Sequence, residues 1–95
     1  MLAFDVGETV ICSIEIRDAD GNYADPSGSV VISIVDPNSQ EVVSEAQMTK
    51  DDVGKYHYDF QTEGKDAGHY RVVYKVTDGE RVTIHQDAFR LRATP

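Results

Sequence analysis

The sequence has few of the features that would place it in a membrane or in an oxidising compartment. It contains one cysteine, Cys12, so no internal disulfide can form, and small secreted domains usually depend on such bonds. No stretch approaches the roughly 18 apolar residues of a membrane-spanning helix. The first five residues lack the basic and apolar regions of a signal peptide. We therefore expect a protein of a reducing interior that has no membrane partner.

Basic charge is also scarce. The 95 residues include 9 Lys and Arg against 17 Asp and Glu, for a net charge of −8. A chain with this balance repels polyanions, so we expect neither nucleic acid nor an anionic membrane as a partner. The length fits one domain covering residues 1–95, which is too small to enclose a deep active-site cavity.

Apolar residues alternate with polar ones along most of the chain, and no helical period is sustained. This period of two predicts β-strands, separated by turns rich in Gly, Pro, Asp and Asn. The clearest set of inward residues is Tyr70, Val72, Tyr74 and Val76. The predicted strands cover about 9–17, 29–35, 41–44, 55–60, 70–76 and 82–91, with a seventh candidate stretch ending near Met48.

The last two strands predict a hairpin whose register depends on its turn. A two-residue loop at Asp78-Gly79 would send Val82 and Ile84 to the outer face of the sheet. A three-residue loop over 77–79 turns both residues inward and places Gly79 at a left-handed position, and this is the register we predict. The residues that face inward then change parity before Phe89, which predicts a bulge or a strand break near residues 85–88.

One segment resembles a known family. Asp66-Ala67-Gly68-His69-Tyr70 resembles the Asp-x-Gly/Ala-x-Tyr segment that opens strand F of immunoglobulin-like domains. The resemblance implies an all-β, immunoglobulin-like, two-sheet antiparallel sandwich of about seven strands, in which the Tyr70 hydroxyl bonds to upstream backbone. Cys12 lies where such domains carry their first core cysteine. Val72 replaces the second cysteine, so the antibody-type disulfide is missing.

The order of turns and strand beginnings adds a second resemblance. The segments 6–10, 17–22, 35–38, 49–56 and 67–70 are similar to the macroglobulin-type sandwich repeat of prokaryotic surface proteins, and also to small stand-alone structural proteins of tailed bacteriophages. Proteins of the phage group typically consist of one unsecreted, cysteine-poor domain. This sequence resembles that group more closely than it resembles the surface-protein repeat.

Candidate metal ligands occur in one loop. Asp18, Asp20 and Asn22 occupy the first three oxygen positions of a calcium loop, but Tyr23 replaces the glycine of an EF-hand and Ser29 its glutamate. An ordinary turn is the preferred interpretation. A weak calcium site that also uses Asp25 and Asp36 stays open.

We expect neither a bound zinc ion nor enzymatic activity. His57, His69 and His85 lack the spacing of metal ligands, and His57 is predicted to lie on a different sheet from the other two. Cys12 points inward and is interpreted as a core residue. The sequence has no phosphate-binding loop and no nucleophile elbow. We therefore predict no catalytic residues and no cofactor.

The charge is distributed unevenly. Residues 1–49 contain nine acidic residues and one basic residue, whereas residues 50–95 contain eight of each. In the predicted register, Lys75 lies opposite Arg81 and Arg71 opposite His85, and such a stripe would attract an acidic partner. The alternative is that these side chains extend into water and use Glu80, Asp78 or Asp87 as counter-ions. The candidate partner-binding residues are Arg71, Lys75, Arg81, His85, Arg90 and Arg92.

These observations predict a non-enzymatic virion structural protein of a tailed phage, assembled in the host cytoplasm. A head-tail connector or neck component, a tail accessory protein and a capsid decoration protein all fit. Its expected partners are other virion or assembly proteins, including copies of itself arranged head to tail in a ring. The alternative is an adhesion or spacer module of a prokaryotic surface protein. A sugar-binding sandwich is disfavoured because most aromatic residues have inward parity.

Overall fold

A computed structural model describes residues 2–93, which form eight strands and no helix. The long strands coincide with the alternating segments of the sequence. The strands are β1 (Leu2–Asp5), β2 (Thr9–Glu15), β3 (Val30–Val35), β4 (Glu41–Gln47), β5 (Thr49–Asp52), β6 (Lys55–Gln61), β7 (Gly68–Asp78) and β8 (Arg81–Arg92).

The strands form two sheets that pack face to face. One sheet has the order β1-β8-β7-β3-β4 and the other β2-β6-β5. All pairs are antiparallel except β1 with β8, which is parallel. The predicted all-β, two-sheet sandwich is confirmed, with eight strands instead of about seven. The seventh candidate stretch, which was predicted to end near Met48, belongs to β4 and is not a separate strand. The two strands that were not predicted, β1 and β5, have four residues each, too few for a visible alternation in sequence.

Side chains from both sheets fill the space between them. The aromatic part of this core contains Phe60, Tyr70 and Phe89, and the rings of Tyr70 and Phe89 stack at 5.2 Å between centroids. The hydroxyl of Tyr70 bonds to the backbone of Asp66, which confirms the predicted tyrosine corner. The buried hydrophobic residues are Val10, Cys12, Val30, Ile32, Ile34, Met48, Phe60, Tyr70, Val72, Tyr74, Val76, Phe89 and Leu91.

The hairpin between β7 and β8 differs from its prediction. Asp78 pairs with Arg81, so the loop consists of Gly79 and Glu80 only, and neither the three-residue loop over 77–79 nor the rejected loop at Asp78-Gly79 is correct. Gly79 does adopt a left-handed conformation, with φ of 62°. The Asp78 carboxylate accepts hydrogen bonds from the amide and the hydroxyl of Ser27, which holds Asp78 at the end of β7.

The predicted bulge or strand break near residues 85–88 is also wrong. β8 pairs with β7 without interruption from Arg81 to Leu91. Phe89 and Leu91 face the core, and the alternation of the strand then places Val82 and Ile84 on the outer face of the sheet. The prediction failed because it assumed that every apolar residue of β8 is buried. Both residues are in fact exposed.

The molecule is elongated, with extents of 46 × 22 × 19 Å. β7 and β8, at 11 and 12 residues, are its longest strands. Their hairpin therefore dominates the surface of the five-stranded sheet.

Candidate docking surface

The outer side of the β7–β8 hairpin carries most of the predicted partner-binding residues. We call this surface the hairpin outer face. Tyr70, Val72, Tyr74 and Val76 point into the core, so the residues between them on β7 point outward. The hairpin outer face consists of His69, Arg71, Val73, Lys75 and Thr77 from β7 and of Val82, Ile84, Gln86, Ala88, Arg90 and Arg92 from β8.

Four of the six predicted basic residues lie on this face, but with different neighbours from those expected. Arg71 pairs with Ala88 and Lys75 pairs with Ile84. The predicted opposition of Lys75 to Arg81, and of Arg71 to His85, is therefore wrong. Its cause is the error in the loop, since a shift of register by three residues moves every side chain of β8 to the other face.

The cations of this face are partly neutralised by nearby acids. The Lys75 ammonium lies 3.5 Å from a carboxylate oxygen of Glu45, and the Arg92 guanidinium lies 3.1 Å from Asp5. Lys75 and Arg92 therefore have local counter-ions, but these are not Glu80, Asp78 or Asp87, the residues that the alternative interpretation named. Arg71 and Arg90 form no salt bridge with any residue in the range 2–93.

The remaining two basic candidates, Arg81 and His85, lie on the opposite face of β8. They border a groove between β8 and the segment 15–26, which comprises the last residue of β2 and the loop that follows it. One part of this groove has a volume of about 340 Å³ and is lined by Arg81, Thr83 and Asp25 among others. A second part, of about 140 Å³, is lined by His85, Thr83 and Ile16 among others.

Cys12 lies away from this groove and lines a separate small cavity with Tyr74 and Asp87. Burial, together with the nearby carboxylate of Asp87, raises the pKa of its thiol to about 11. Burial likewise raises the pKa of Tyr74. Both groups are therefore protonated at neutral pH, and a protonated thiol is a poor nucleophile. The interpretation of Cys12 as a core residue is confirmed.

The candidate calcium loop is organised by its own backbone. One carboxylate oxygen of Asp18 accepts hydrogen bonds from the amides of Asp20 and Asn22 at 2.9 and 3.0 Å. Asp36 binds the amides of Asn38 and Gln40 in the same way. These are the contacts of Asx turns. Within residues 2–93, no cluster of three or more His, Cys, Asp or Glu side chains is arranged to hold a metal ion.

The histidines are dispersed as predicted. His57 lies on β6 of the smaller sheet, whereas His69 and His85 lie on β7 and β8 of the larger one. His57 contacts the carboxylate of Asp51 at 2.7 Å through its Nδ1 atom.

Asp25 has a structural role that the sequence did not reveal. Its carboxylate accepts hydrogen bonds from the Lys50 ammonium, the Gly54 amide and the Tyr56 hydroxyl, at 2.6, 2.9 and 3.1 Å. These contacts join the loop before β3 to the β5–β6 turn. The lysine and the amide hold the pKa of Asp25 below its ordinary value. No local pattern could have indicated this role, because Asp25 lies at least 25 residues from each partner.

No protein-family model and no curated protein sequence matches this chain. None of the elements within residues 2–93 is a helix long and apolar enough to cross a membrane.

Proposed function

We propose that this chain is a non-enzymatic structural protein that acts by docking onto other proteins through the hairpin outer face. The observation that carries the proposal is the exposure of Val82 and Ile84, 53% and 57%, on a rigid sheet that also presents Arg71. Exposed aliphatic residues that share a face with arginine have the composition of a protein interface.

The second support is the rigidity of the surface. β7 pairs with β3 on one side and with β8 on the other, each without a break in register. Side chains on such a sheet keep their relative positions, so little ordering entropy is lost when a partner binds.

Charge indicates the type of partner. The net charge of −8 repels another acidic protein at long range, a second copy of this chain included, so association with either depends on local complementary contacts. Arg71, Lys75 and Arg90 give the hairpin outer face such a local cationic character. A partner with acidic residues around an apolar centre would complement this face. Its binding should weaken as salt increases, because exposed charges are screened beyond about 8 Å at physiological ionic strength.

The proposed biological setting is the particle of a tailed phage, where the chain would be a head-tail connector or neck component, a tail accessory protein or a capsid decoration protein. This setting is supported by the resemblance of the turns and strand beginnings at 6–10, 17–22 and 35–38 to small structural proteins of such particles.

The test is co-sedimentation with purified particles. We expect the wild-type chain in a fixed stoichiometric ratio to the other particle proteins. Its absence from particles would overturn the phage assignment and favour the adhesion or spacer module.

Variants then test the surface. Arg71→Glu combined with Lys75→Glu should reduce particle occupancy and leave the thermal midpoint nearly unchanged, because both side chains point outward. Lys65→Glu, in the loop before β7, is the control for a change of charge alone. Full occupancy of the double variant at low and high salt would exclude the hairpin outer face as the attachment surface.

A further inference from the structure

β8 presents an open strand edge that the rest of the sheet does not cover. β1 is the outermost strand beside β8, but it pairs only with residues from Phe89 to Arg92. On this side, residues 81–88 of β8 therefore have no neighbouring strand within residues 2–93. An edge of this length is a template for pairing with another strand.

The other edges of the two sheets are shorter or irregular, with one exception. β4 pairs with β3 through two irregularities of register, and its Glu45 has a φ of 45°. β5 has only four residues, three of which are charged. Bulges, brevity and charge are devices that protect an edge from pairing. β2 is the exception, since it is seven residues long and pairs regularly with β6.

The direction of the backbone groups on the β8 edge follows from one hydrogen bond. The amide of Thr77 donates to the carbonyl of Ser29, so the backbone groups of Thr77 point away from β8. Val82, which lies opposite Thr77, must then direct its own amide and carbonyl toward the open edge. Alternation along the strand gives Ile84 and Gln86 the same direction.

The sequence of this edge is complementary to itself. When two copies of β8 are placed antiparallel with the two-fold axis at Ile84, Arg81 of each copy lies opposite Asp87 of the other. In the same register Val82 faces Gln86, and Ile84 faces Ile84. The backbone groups of Val82, Ile84 and Gln86 point across the open edge toward the second copy. On the order of six backbone hydrogen bonds can therefore form between the two strands.

Arg81 and Asp87 keep capacity for this pairing, although one Asp87 oxygen accepts a hydrogen bond from the Ala88 amide and Arg81 lies opposite Asp78 in the hairpin. Neither forms a salt bridge with another residue of the described range 2–93. Both are exposed, on the side of β8 that borders the groove. β2 lacks such complementarity, because antiparallel pairing about its central Cys12 places Thr9 opposite Glu15.

We propose that the chain forms a symmetric dimer by antiparallel pairing of the β8 edges, with the two-fold axis at Ile84 and reciprocal Arg81–Asp87 ion pairs. The partner is a second copy of this chain. The dimer joins the two five-stranded sheets into one continuous sheet and brings the exposed Val82 and Ile84 of both copies together. This isologous contact differs from a head-to-tail ring, because it closes at two copies.

The first measurement is sedimentation equilibrium over a concentration series reaching about 1 mM. We expect a monomer–dimer equilibrium without larger species. A monomer at every concentration, or rings and higher oligomers, would overturn the proposal.

Charge reversal provides the sharpest test. Arg81→Asp alone places two aspartates opposite each other at both ends of the interface, and Asp87→Arg alone does the same with arginines. Each variant should weaken dimerisation by about tenfold, because attractive pairs become repulsive. An equimolar mixture of the two variants restores both ion pairs and should dimerise about as well as the wild type.

This mixture also controls for folding, because a misfolded variant could not be rescued by the other. Failure of the mixture to form heterodimers, with both variants folded by circular dichroism, would overturn the reciprocal pairing.

Ile11→Lys on β2 is the matched control for Ile84→Lys on β8. Ile11 is 65% exposed on β2, an edge strand of the smaller sheet, and Ile84 is 57% exposed on the open part of β8. Only Ile84→Lys should abolish the dimer. Loss of the dimer with Ile11→Lys instead would assign the interface to β2.

Hydrogen exchange locates the contact directly. On dimerisation the amides of Val82, Ile84 and Gln86 should gain protection, whereas those of Thr83 and His85 already bond to β7 and should change little. Uniform protection, or protection confined to β2, would contradict the proposed register. The result is independent of particle occupancy, so failure of the dimer and failure of the phage assignment are distinguishable.

Discussion

The hydroxyl of Tyr70 donates a hydrogen bond to the backbone carbonyl of Asp66 at 2.6 Å, and the ring of Tyr70 is only 1% exposed. This contact closes the loop before β7 over the end of the sandwich. Burial raises the pKa of the hydroxyl, so the group is a hydrogen-bond donor throughout the neutral range.

Removal of this hydroxyl should destabilise the fold. Tyr70→Phe leaves the Asp66 carbonyl without its donor and should lower the free energy of unfolding by about 1 to 3 kcal/mol, as measured in urea. Tyr58→Phe is the control, because the Tyr58 hydroxyl has no hydrogen-bond partner within residues 2–93; it should change stability by less than about 0.5 kcal/mol. Equal midpoints for Tyr70→Phe and the wild type would show that the corner adds nothing.

Gly54 is required at its position by its backbone conformation and by its close packing. Comparison with Gly64 separates these two effects. Its φ is 71°, and a Cβ atom would lie 2.5 Å from the carbonyl oxygen of Ile16. Gly64 has a similar φ of 77° but open space around it. Gly64→Ala should therefore cost about 1 kcal/mol from backbone conformation alone. Gly54→Ala should cost about 3 kcal/mol or more, because the clash adds to that strain. Similar urea midpoints for the two variants would contradict the packing argument.

The Asp25 contacts should make stability depend on pH in the acidic range. The pKa of Asp25 is below its ordinary value of 3.8, chiefly because Lys50 and the Gly54 amide stabilise the carboxylate. The folded state therefore binds this proton less readily than the unfolded chain does. The stabilisation is complete above the unfolded pKa and is lost as the pH falls through the lowered, folded pKa.

The comparison of wild type with Asp25→Asn measures this effect. Their thermal midpoints should differ at neutral pH and converge below the ordinary pKa of 3.8. Asp20→Asn is the control, since the Asp20 carboxylate accepts no hydrogen bond from residues 2–93. A difference for Asp25→Asn that stays constant into strong acid would refute the assigned role.

Cys12 should react with thiol reagents only when the fold opens. Its pKa is raised from 9.0 to about 11, which reduces the thiolate fraction about a hundredfold, and the side chain is also buried. We expect slow labelling in buffer and rapid labelling in urea, in step with the unfolding transition. Rapid labelling of the folded protein would mean that Cys12 is accessible, contrary to its place in the core.

The alternation of side chains was sufficient to predict the sandwich and most of its core. Tyr70, Val72, Tyr74 and Val76 are all buried, as their parity indicated. The segment from Asp66 to Tyr70 indicated the tyrosine corner, and the left-handed conformation of Gly79 was also predictable. These features depend on residues close in sequence, where steric and hydrogen-bonding preferences act directly.

The register of β8 and the position of the candidate docking surface were decided only by the tertiary structure. Val82 and Ile84 look like core residues in sequence, but the pairing of Asp78 with Arg81 places both on the outer face of the sheet, where they are exposed. That register places Arg71 and Lys75 on one face and Arg81 and His85 on the other. A period of two defines which residues share a face, but which face is buried depends on the other strands that pack against it.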